Sequence, residues 1–125
     1  MDFTNQKVIK KTCPVYQLGD GQAHHFFGYY NKTPWHRSKP WVLANQYPEM
    51  DADLTPDLIA KVGYFDLNNN ESFHVVGETT TWNWQMGCQL QWLDGLDDDV
   101  VIFNIRADQP KGAYPSFASR MVNLT

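Results

Sequence analysis

The chain has 125 residues, a net charge of -4 and 10 Lys and Arg residues, which form no basic stripe. This length allows one domain with a sizeable core, and the charge argues against nucleic-acid binding. No apolar run approaches the roughly 20 residues of a membrane-spanning helix, and residues 1–16 lack the apolar segment of a signal peptide. We therefore expect a soluble, cytoplasmic protein without nucleic-acid or membrane partners; secretion of a processed parent is the alternative.

Short β-prone runs separated by turn residues follow one another along the chain. We predict strands at residues 25–30, 40–46, 61–67, 72–78, 88–93, 100–106 and 117–124. Runs of this length with turn signals between them are typical of an all-β protein. The best helix signal is Thr55 followed by Pro56, which predicts either a helix of about two turns or a loop over residues 55–61.

The order of the predicted strands repeats. Val100 lies 58 positions after Val42, and the pair Asn123-Leu124 lies 57 positions after Asp66-Leu67. A repeat of this size with about four strands per unit is typical of β-propeller blades. We predict antiparallel blades in three segments: an N-terminal extension (1–23), one full blade (24–80) and a second, incomplete blade (81–125).

The second unit stops where the first turns into its fourth strand. Repeat architectures bury their faces against neighbouring units, so we expect this chain to be a fragment of a larger propeller. The last strand, at residues 117–124, should have an unpaired edge that invites another strand. The expected partners are the remaining blades or another copy of the chain.

Three stretches carry a resemblance to a known family. "HHFFGYYNKTPW" (24–35), "TWNWQMGCQLQWL" (81–93) and "VIFNIR" (101–106) resemble the start of large bacterial β-propeller proteins of the TolB-like, WD-repeat-like type. The similarity covers residues 24–106. Among characterised propellers, the sequence is similar in kind to polysaccharide lyases of the ulvan and oligogalacturonate type, which use His, Tyr and Arg on one face of the propeller to eliminate across a uronic acid.

The resemblance implies a carbohydrate-active lyase that acts on acidic, uronate-containing polysaccharide. The alternative is a non-catalytic propeller that serves as a ligand-binding or protein-interaction scaffold, because a fold does not determine a function. The two hypotheses differ in whether the candidate side chains share a cleft.

The candidate catalytic residues are His25, Tyr30 and Arg106. His25 or Tyr30 would take the C5 proton, and Arg106 would clamp the uronate carboxylate. Each has a structural alternative: a satisfied histidine, a tyrosine packed between blades, and an arginine in a surface salt bridge. Adjacent residues of a strand face opposite ways, so only one member of each His-His or Tyr-Tyr pair can face a given site.

The candidate substrate-binding residues are aromatic or polar side chains close to these positions: His24, Tyr29, Trp35, Trp82, Trp84 and Gln85. Trp82 and Trp84 are two residues apart, so in a strand they share one face. A face with two indoles suits either stacking on sugar rings or packing between blades. Gln85 has the opposite phase and would hydrogen-bond into the channel or to a neighbouring blade.

Metal and cofactor motifs are missing from the sequence. It has no HxH, HExxH or CxxC spacing, no Gly-rich phosphate loop and no GxSxG. "DGLDDD" (94–99) lacks the spacing of a calcium loop and predicts a solvated turn, and His36 is expected to be solvent-exposed. We predict no metal and no cofactor, and two buried or unpaired thiols at Cys13 and Cys88.

Overall fold

The computed structural model describes residues 7–96, 99–107 and 116–125. All regular elements in these ranges are strands of two antiparallel sheets. Sheet I has the order β1 (His24–Phe26), β2 (Trp41–Tyr47), β3 (Ala60–Asp66) and β4 (Ser72–Thr79); sheet II has the order β5 (Gln91–Trp92), β6 (Val100–Ala107) and β7 (Ser116–Asn123). The predicted all-β class and the antiparallel pairing are confirmed. No helix in the described ranges has the length and apolar character needed to cross a membrane.

Within each sheet, every strand pairs with the strand that follows it along the chain. In sheet I, Leu43 of β2 lies opposite Tyr64 of β3, and the register between β3 and β4 shifts beside Gly63. A Cβ atom at Gly63 would lie 2.1 Å from the carbonyl oxygen of His74, so this bulge requires glycine.

The first strand is shorter than predicted, because the chain leaves sheet I after Phe26. Gly28 has a φ of 141°, and a Cβ atom there would lie 2.7 Å from the carbonyl oxygen of Met86. The chain returns to the sheet at Trp35, which forms an isolated bridge with Val42. The β1 edge of sheet I is therefore an interrupted strand with a loop between its two parts.

No helix forms over residues 55–61, and the loop alternative is confirmed. Only one turn is closed there, by the N–H of Leu58, which donates to the carbonyl oxygen of Thr55 at 3.3 Å. Ala60 already pairs with Thr79 of β4 and is fully buried. Strand pairing therefore takes the residues that a second helical turn would need.

The two sheets pack face to face around one apolar cluster, which consists of Leu43, Val62, Cys88, Leu90, Val101 and Phe103. The Phe103 ring of sheet II lies against Gly77 of β4, where a Cβ atom would come within 2.7 Å of the ring. Gly77 thus leaves space for the largest side chain of the core. Full burial of a side chain such as Phe103 contributes about 1.5–3 kcal/mol.

A buried polar side chain joins the sheets inside this core. Nδ2 of Asn45 donates to the carbonyl oxygens of Phe26 and Phe27 at 3.2 and 2.9 Å. Oδ1 of Asn45 accepts a hydrogen bond from Sγ of Cys88 at 3.0 Å. Asn45 therefore ties the point where the chain leaves β1 to Cys88, which precedes β5.

Candidate functional site

The three predicted catalytic residues lie in different places. His25 lies on β1 and lines one cavity, whereas Arg106, close to the end of β6, lines another. Tyr30 follows β1 in the loop and is 85% exposed. Within the described residues, no hydrogen bond or ion pair joins any two of these three side chains.

His25 is held by polar and aromatic neighbours. The amide Nε2 of Gln46 donates to Nε2 of His25 at 2.9 Å, and the imidazole meets Phe65 and Phe73 edge-on, with ring centroids 4.8 Å away in each case. Burial lowers the pKa of His25, and the charge of Asp20 opposes this effect only in part. His25 is therefore a neutral imidazole at neutral pH, and its Nε2 lone pair is engaged by Gln46.

The cavity beside His25 has a volume of about 290 Å³ and an acidic lining. Asp20 and Glu71 contribute carboxylates, whereas none of the described residues that line it is Lys or Arg. A uronate carboxylate would meet like charge at this wall without a compensating cation. The surroundings of His25 thus do not suit the chemistry that the resemblance implies for it.

Arg106 lies in a groove of about 200 Å³ where the sheets meet at one end, which we call the arginine groove. Its lining residues are Ile59, Glu78, Thr79, Thr80, Ile105, Arg106 and Arg120. Oγ1 of Thr79 donates to the carbonyl oxygen of Asn104 at 2.7 Å and so joins β4 to β6 at the wall of the groove.

Two exposed arginines and one acidic residue, Glu78, are among the residues that line the arginine groove. Arg106 lies opposite Phe117 and Arg120 lies opposite Phe103, so the two arginines are three register positions apart, or roughly 10 Å along the strands. Because this offset is odd, their side chains leave opposite faces of sheet II. Neither forms an ion pair with another described residue. Sequence reasoning identified Arg106 but missed Arg120, because only the pairing of β6 with β7 brings Arg120 to this groove.

The two predicted indole platforms do not lie on a strand. Residues 82–87 form a tight turn, closed by reciprocal backbone hydrogen bonds of 3.2 and 2.9 Å between Asn83 and Gly87. The rings of Trp82 and Trp84 stand nearly perpendicular, at 88° with centroids 5.0 Å apart. The prediction that both rings share one strand face is wrong, because the turn rotates them against each other.

Both indoles hold the loop that precedes β3. Nε1 of Trp82 donates to the carbonyl oxygen of Leu58 at 2.9 Å, and Nε1 of Trp84 donates to that of Ala52 at 3.1 Å. Both rings are half-buried and also contact Phe26. These contacts favour the packing alternative for the two tryptophans. Gln85, in the same turn, is exposed.

The other predicted binding residues lie along β1 and the loop after it. His24 begins β1 opposite Tyr47. The hydroxyl of Tyr29 donates to that of Tyr30 at 3.3 Å, and this hydrogen bond raises the pKa of Tyr29. The ring centroids of Tyr29 and Tyr30 are 4.2 Å apart in the loop. The prediction that the two rings face opposite ways as strand neighbours is therefore wrong.

Trp35 lines a cavity of about 280 Å³ between the loop after β1 and strand β5, and Lys32, Arg37 and Trp92 also line it. The side chain is 56% exposed. Trp35 is therefore the predicted binding residue with the largest accessible indole surface.

A buried charged cluster was missed by sequence reasoning. The side chains of His36 and Asp99 are only 5% and 9% exposed, so the prediction of an exposed His36 is wrong and the predicted solvated turn fails at Asp99. Residues 94–96 of that turn are exposed, and residues 97 and 98 lie outside the described residues. Nδ1 of His36 accepts from the backbone N–H groups of Ser38 and Lys39, at 3.0 and 2.9 Å, and Nε2 donates to Asp99 at 2.8 Å. Lys39 also forms an ion pair with Asp99.

This cluster has no space for a ligand. The cavity beside His36 and Asp99 has a volume of only about 10 Å³, roughly that of one water molecule. No local motif announces the cluster, because its two principal residues are 63 positions apart. Its place between the sheets makes it a structural tie rather than a binding site.

No group of three or more His, Cys, Asp or Glu side chains in the described ranges is arranged to hold a metal ion. Comparison of the chain with protein-family models, with curated proteins and with solved structures found no match. The arginine groove is therefore judged on its own chemistry: its lining combines Arg106 and Arg120 with one acidic residue, Glu78.

Proposed function

We propose that residues 24–80 and 81–125 are two blades of a β-propeller that binds an acidic saccharide without cleaving it. The consecutive antiparallel order of β1 to β4, repeated by β5 to β7, supports the blade assignment. Face-to-face packing of the two sheets is the arrangement that neighbouring blades require.

The arginine groove carries the binding proposal. Arg106 and Arg120 approach this groove from opposite faces of sheet II, and neither has an ion-pair partner among the described residues, so the two arginines outweigh the single carboxylate of Glu78 in its lining. Guanidinium binds carboxylate through two parallel hydrogen bonds, which suits a uronate. Since the arginines are roughly 10 Å apart along the strands, each would hold a different acidic group, as an oligouronate provides.

Binding is favoured over elimination because of how the candidate residues are distributed. A lyase needs a base within hydrogen-bond reach of the C5 proton while a cation holds the carboxylate of the same sugar. His25 and Arg106 line separate cavities, and the cavity of His25 is acidic. The lyase remains the second candidate, with Arg106 in the same clamping role.

The test is isothermal titration calorimetry of the full chain with an oligogalacturonate and with a neutral galactose oligomer. We expect binding of the acidic ligand only. The substitutions Arg106→Gln and Arg120→Gln should each weaken binding about tenfold or more, because a hydrogen bond to a charged group is worth about 1.5–3 kcal/mol. Lys10→Gln, which removes an exposed cation of the N-terminal segment outside the groove, is the matched control.

Equal binding of the neutral oligomer, or undiminished binding by both arginine variants, would contradict the proposal. The same mixtures are monitored for ultraviolet absorbance of an unsaturated sugar product. If that absorbance appears and is lost in Arg106→Gln, the lyase replaces simple binding as the function.

A further inference from the structure

The two units repeat in three dimensions around a pair of tryptophans. Trp35 pairs antiparallel with Val42 at the β1 edge of sheet I, and Trp92 pairs in the same way with Val101 in sheet II. The next hydrogen bond is also the same: the residue after each tryptophan donates its N–H to the carbonyl oxygen of the residue before each valine, at 2.9 Å in both units. Trp35 and Trp92 are therefore structural counterparts.

Trp92 docks into the face of sheet I that carries Trp41 and Leu43, which we call the front face. Nε1 of Trp92 donates to the carbonyl oxygen of Pro34 at 3.0 Å. Its ring stacks on Trp41, with centroids 6.3 Å apart and planes at 24°, and meets His36 edge-on at 4.6 Å. This tryptophan joins the back face of sheet II, which also carries Val101, to the front face of sheet I.

Trp35 occupies the same position on the back face of sheet I but has no such partner. It is 56% exposed, and its indole N–H has no acceptor among the described residues. In the described ranges its ring also contacts no other aromatic ring. The back face of sheet I thus presents an unused copy of the side chain that joins the sheets.

The front face of sheet II is also uncovered. Ile102 of β6 lies opposite Met121 of β7, as Leu43 lies opposite Tyr64 on the front face of sheet I. Leu43 is 1% exposed under sheet II, whereas its counterpart Ile102 is half-buried. Tyr64 is half-buried, whereas its counterpart Met121 is 61% exposed. Phe117 lies four residues before Met121 on β7 and therefore on the same face, and it is 67% exposed.

We propose that the front face of sheet II binds the back face of sheet I of a second copy of this chain. Trp35 of the second copy then docks beside Gln91, the counterpart of Pro34, as Trp92 docks beside Pro34 within one chain. The packing between sheets I and II is the template, so the new contact continues an interface that the fold already contains. Such a contact is head-to-tail, and each added copy leaves one front face and one back face open until a ring closes.

The test uses size-exclusion chromatography with light scattering on the full chain over a range of concentrations. The mass of the unsubstituted chain rises above that of a monomer as its concentration increases. Met121→Glu places a charge on the front face of sheet II, and Trp35→Glu places a charge on the back face of sheet I. Each substitution blocks one side of the contact, so each variant alone stays monomeric. Met50→Glu, at a methionine with 64% exposure in the turn after β2, associates like the unsubstituted chain and is the matched control.

Mixing the two variants distinguishes a head-to-tail contact from every other mode. Met121→Glu keeps an intact back face and Trp35→Glu keeps an intact front face, so the mixture forms a one-to-one dimer and nothing larger. Any of three results overturns the proposal. The unsubstituted chain stays monomeric, or the mixture of the two variants stays monomeric, or association survives both substitutions, as it would if the chains paired through the β7 edge. Arg106 lies opposite Phe117 on the front face, so saccharide binding is also titrated with the Trp35→Glu variant, which keeps the whole arginine groove. Binding by that variant is independent of assembly, and the two proposals therefore succeed or fail separately.

Discussion

Nε2 of His36 donates a hydrogen bond to Oδ1 of Asp99 at 2.8 Å and so joins residues 63 positions apart. Two backbone N–H groups donate to Nδ1 of the same ring, which leaves the ring proton on Nε2. Asp99 immediately precedes β6, whereas His36 immediately follows the bridge residue Trp35. The contact therefore fixes the turn between Trp35 and β2 against the first residues of β6.

The His36–Asp99 contact makes stability depend on pH in the acid range. Burial opposes the charge of Asp99, but the hydrogen bonds from Lys39 and His36 and the charge of Lys39 outweigh it and hold the pKa of Asp99 below its ordinary value. A carboxylate with a lowered folded pKa stabilises the protein fully above its unfolded pKa, and this contribution is lost as the pH falls through the folded pKa. We expect the free energy of unfolding to decrease across that window.

Urea denaturation at a series of pH values down to about pH 2 measures this effect. Asp99→Asn should destabilise the protein at neutral pH and flatten the decrease at acid pH. Asp53→Asn, at an exposed carboxylate in the loop before β3, should leave the pH profile unchanged. Parallel profiles for Asp99→Asn and the unsubstituted protein would contradict this role of Asp99.

Asn45→Leu should destabilise the protein by about 2–4 kcal/mol, because leaving a buried polar group unpaired costs about 1–3 kcal/mol. The substitution removes the amide that serves the carbonyl oxygens of Phe26 and Phe27 and the thiol of Cys88. Guanidinium denaturation followed by circular dichroism measures the loss. Asn68→Leu, at an exposed position in the turn after β3, should change stability by less than about 0.5 kcal/mol.

The two thiols should differ strongly in reactivity. Cys13 is exposed, whereas burial raises the pKa of Cys88 to about 12 and its Sγ donates to Asn45. Since the thiolate is the reactive form, a disulfide reagent should label only Cys13 in the folded protein and both residues after denaturation. Cys13→Ser should make the folded protein unreactive; rapid labelling of that variant would show that Cys88 is accessible.

Trp82→Ala should cost about 3 kcal/mol, the lower end of the range for a large aromatic side chain, because the ring is only half-buried. Trp82→Phe should cost about 1 kcal/mol, since it keeps most of the packing and loses the hydrogen bond to Leu58. Denaturation of dilute protein measures both. Trp35→Ala, at an exposed indole, is the control and should melt like the unsubstituted chain.

The strands were largely predictable because their signals are local. In β2, β3, β4 and β6, β-prone residues form short runs bounded by turn residues, and the observed strands begin and end within about two residues of the predicted ones. The helix signal of Thr55 and Pro56 was local too, but pairing of Ala60 with Thr79 overruled it. The aromatic run after Phe26 left the sheet because Gly28 must fit against the backbone of Met86.

The sequence by itself therefore determined an all-β chain of short strands and marked Arg106 as a cation in an unusual place. Only the tertiary structure brought Arg120 to the same groove, separated His25 from Arg106, and turned Trp82 and Trp84 toward the loop before β3. The physical reason is distance along the chain. Alternation and turn chemistry act over a few residues, whereas these contacts depend on how strands pair and how two sheets stack.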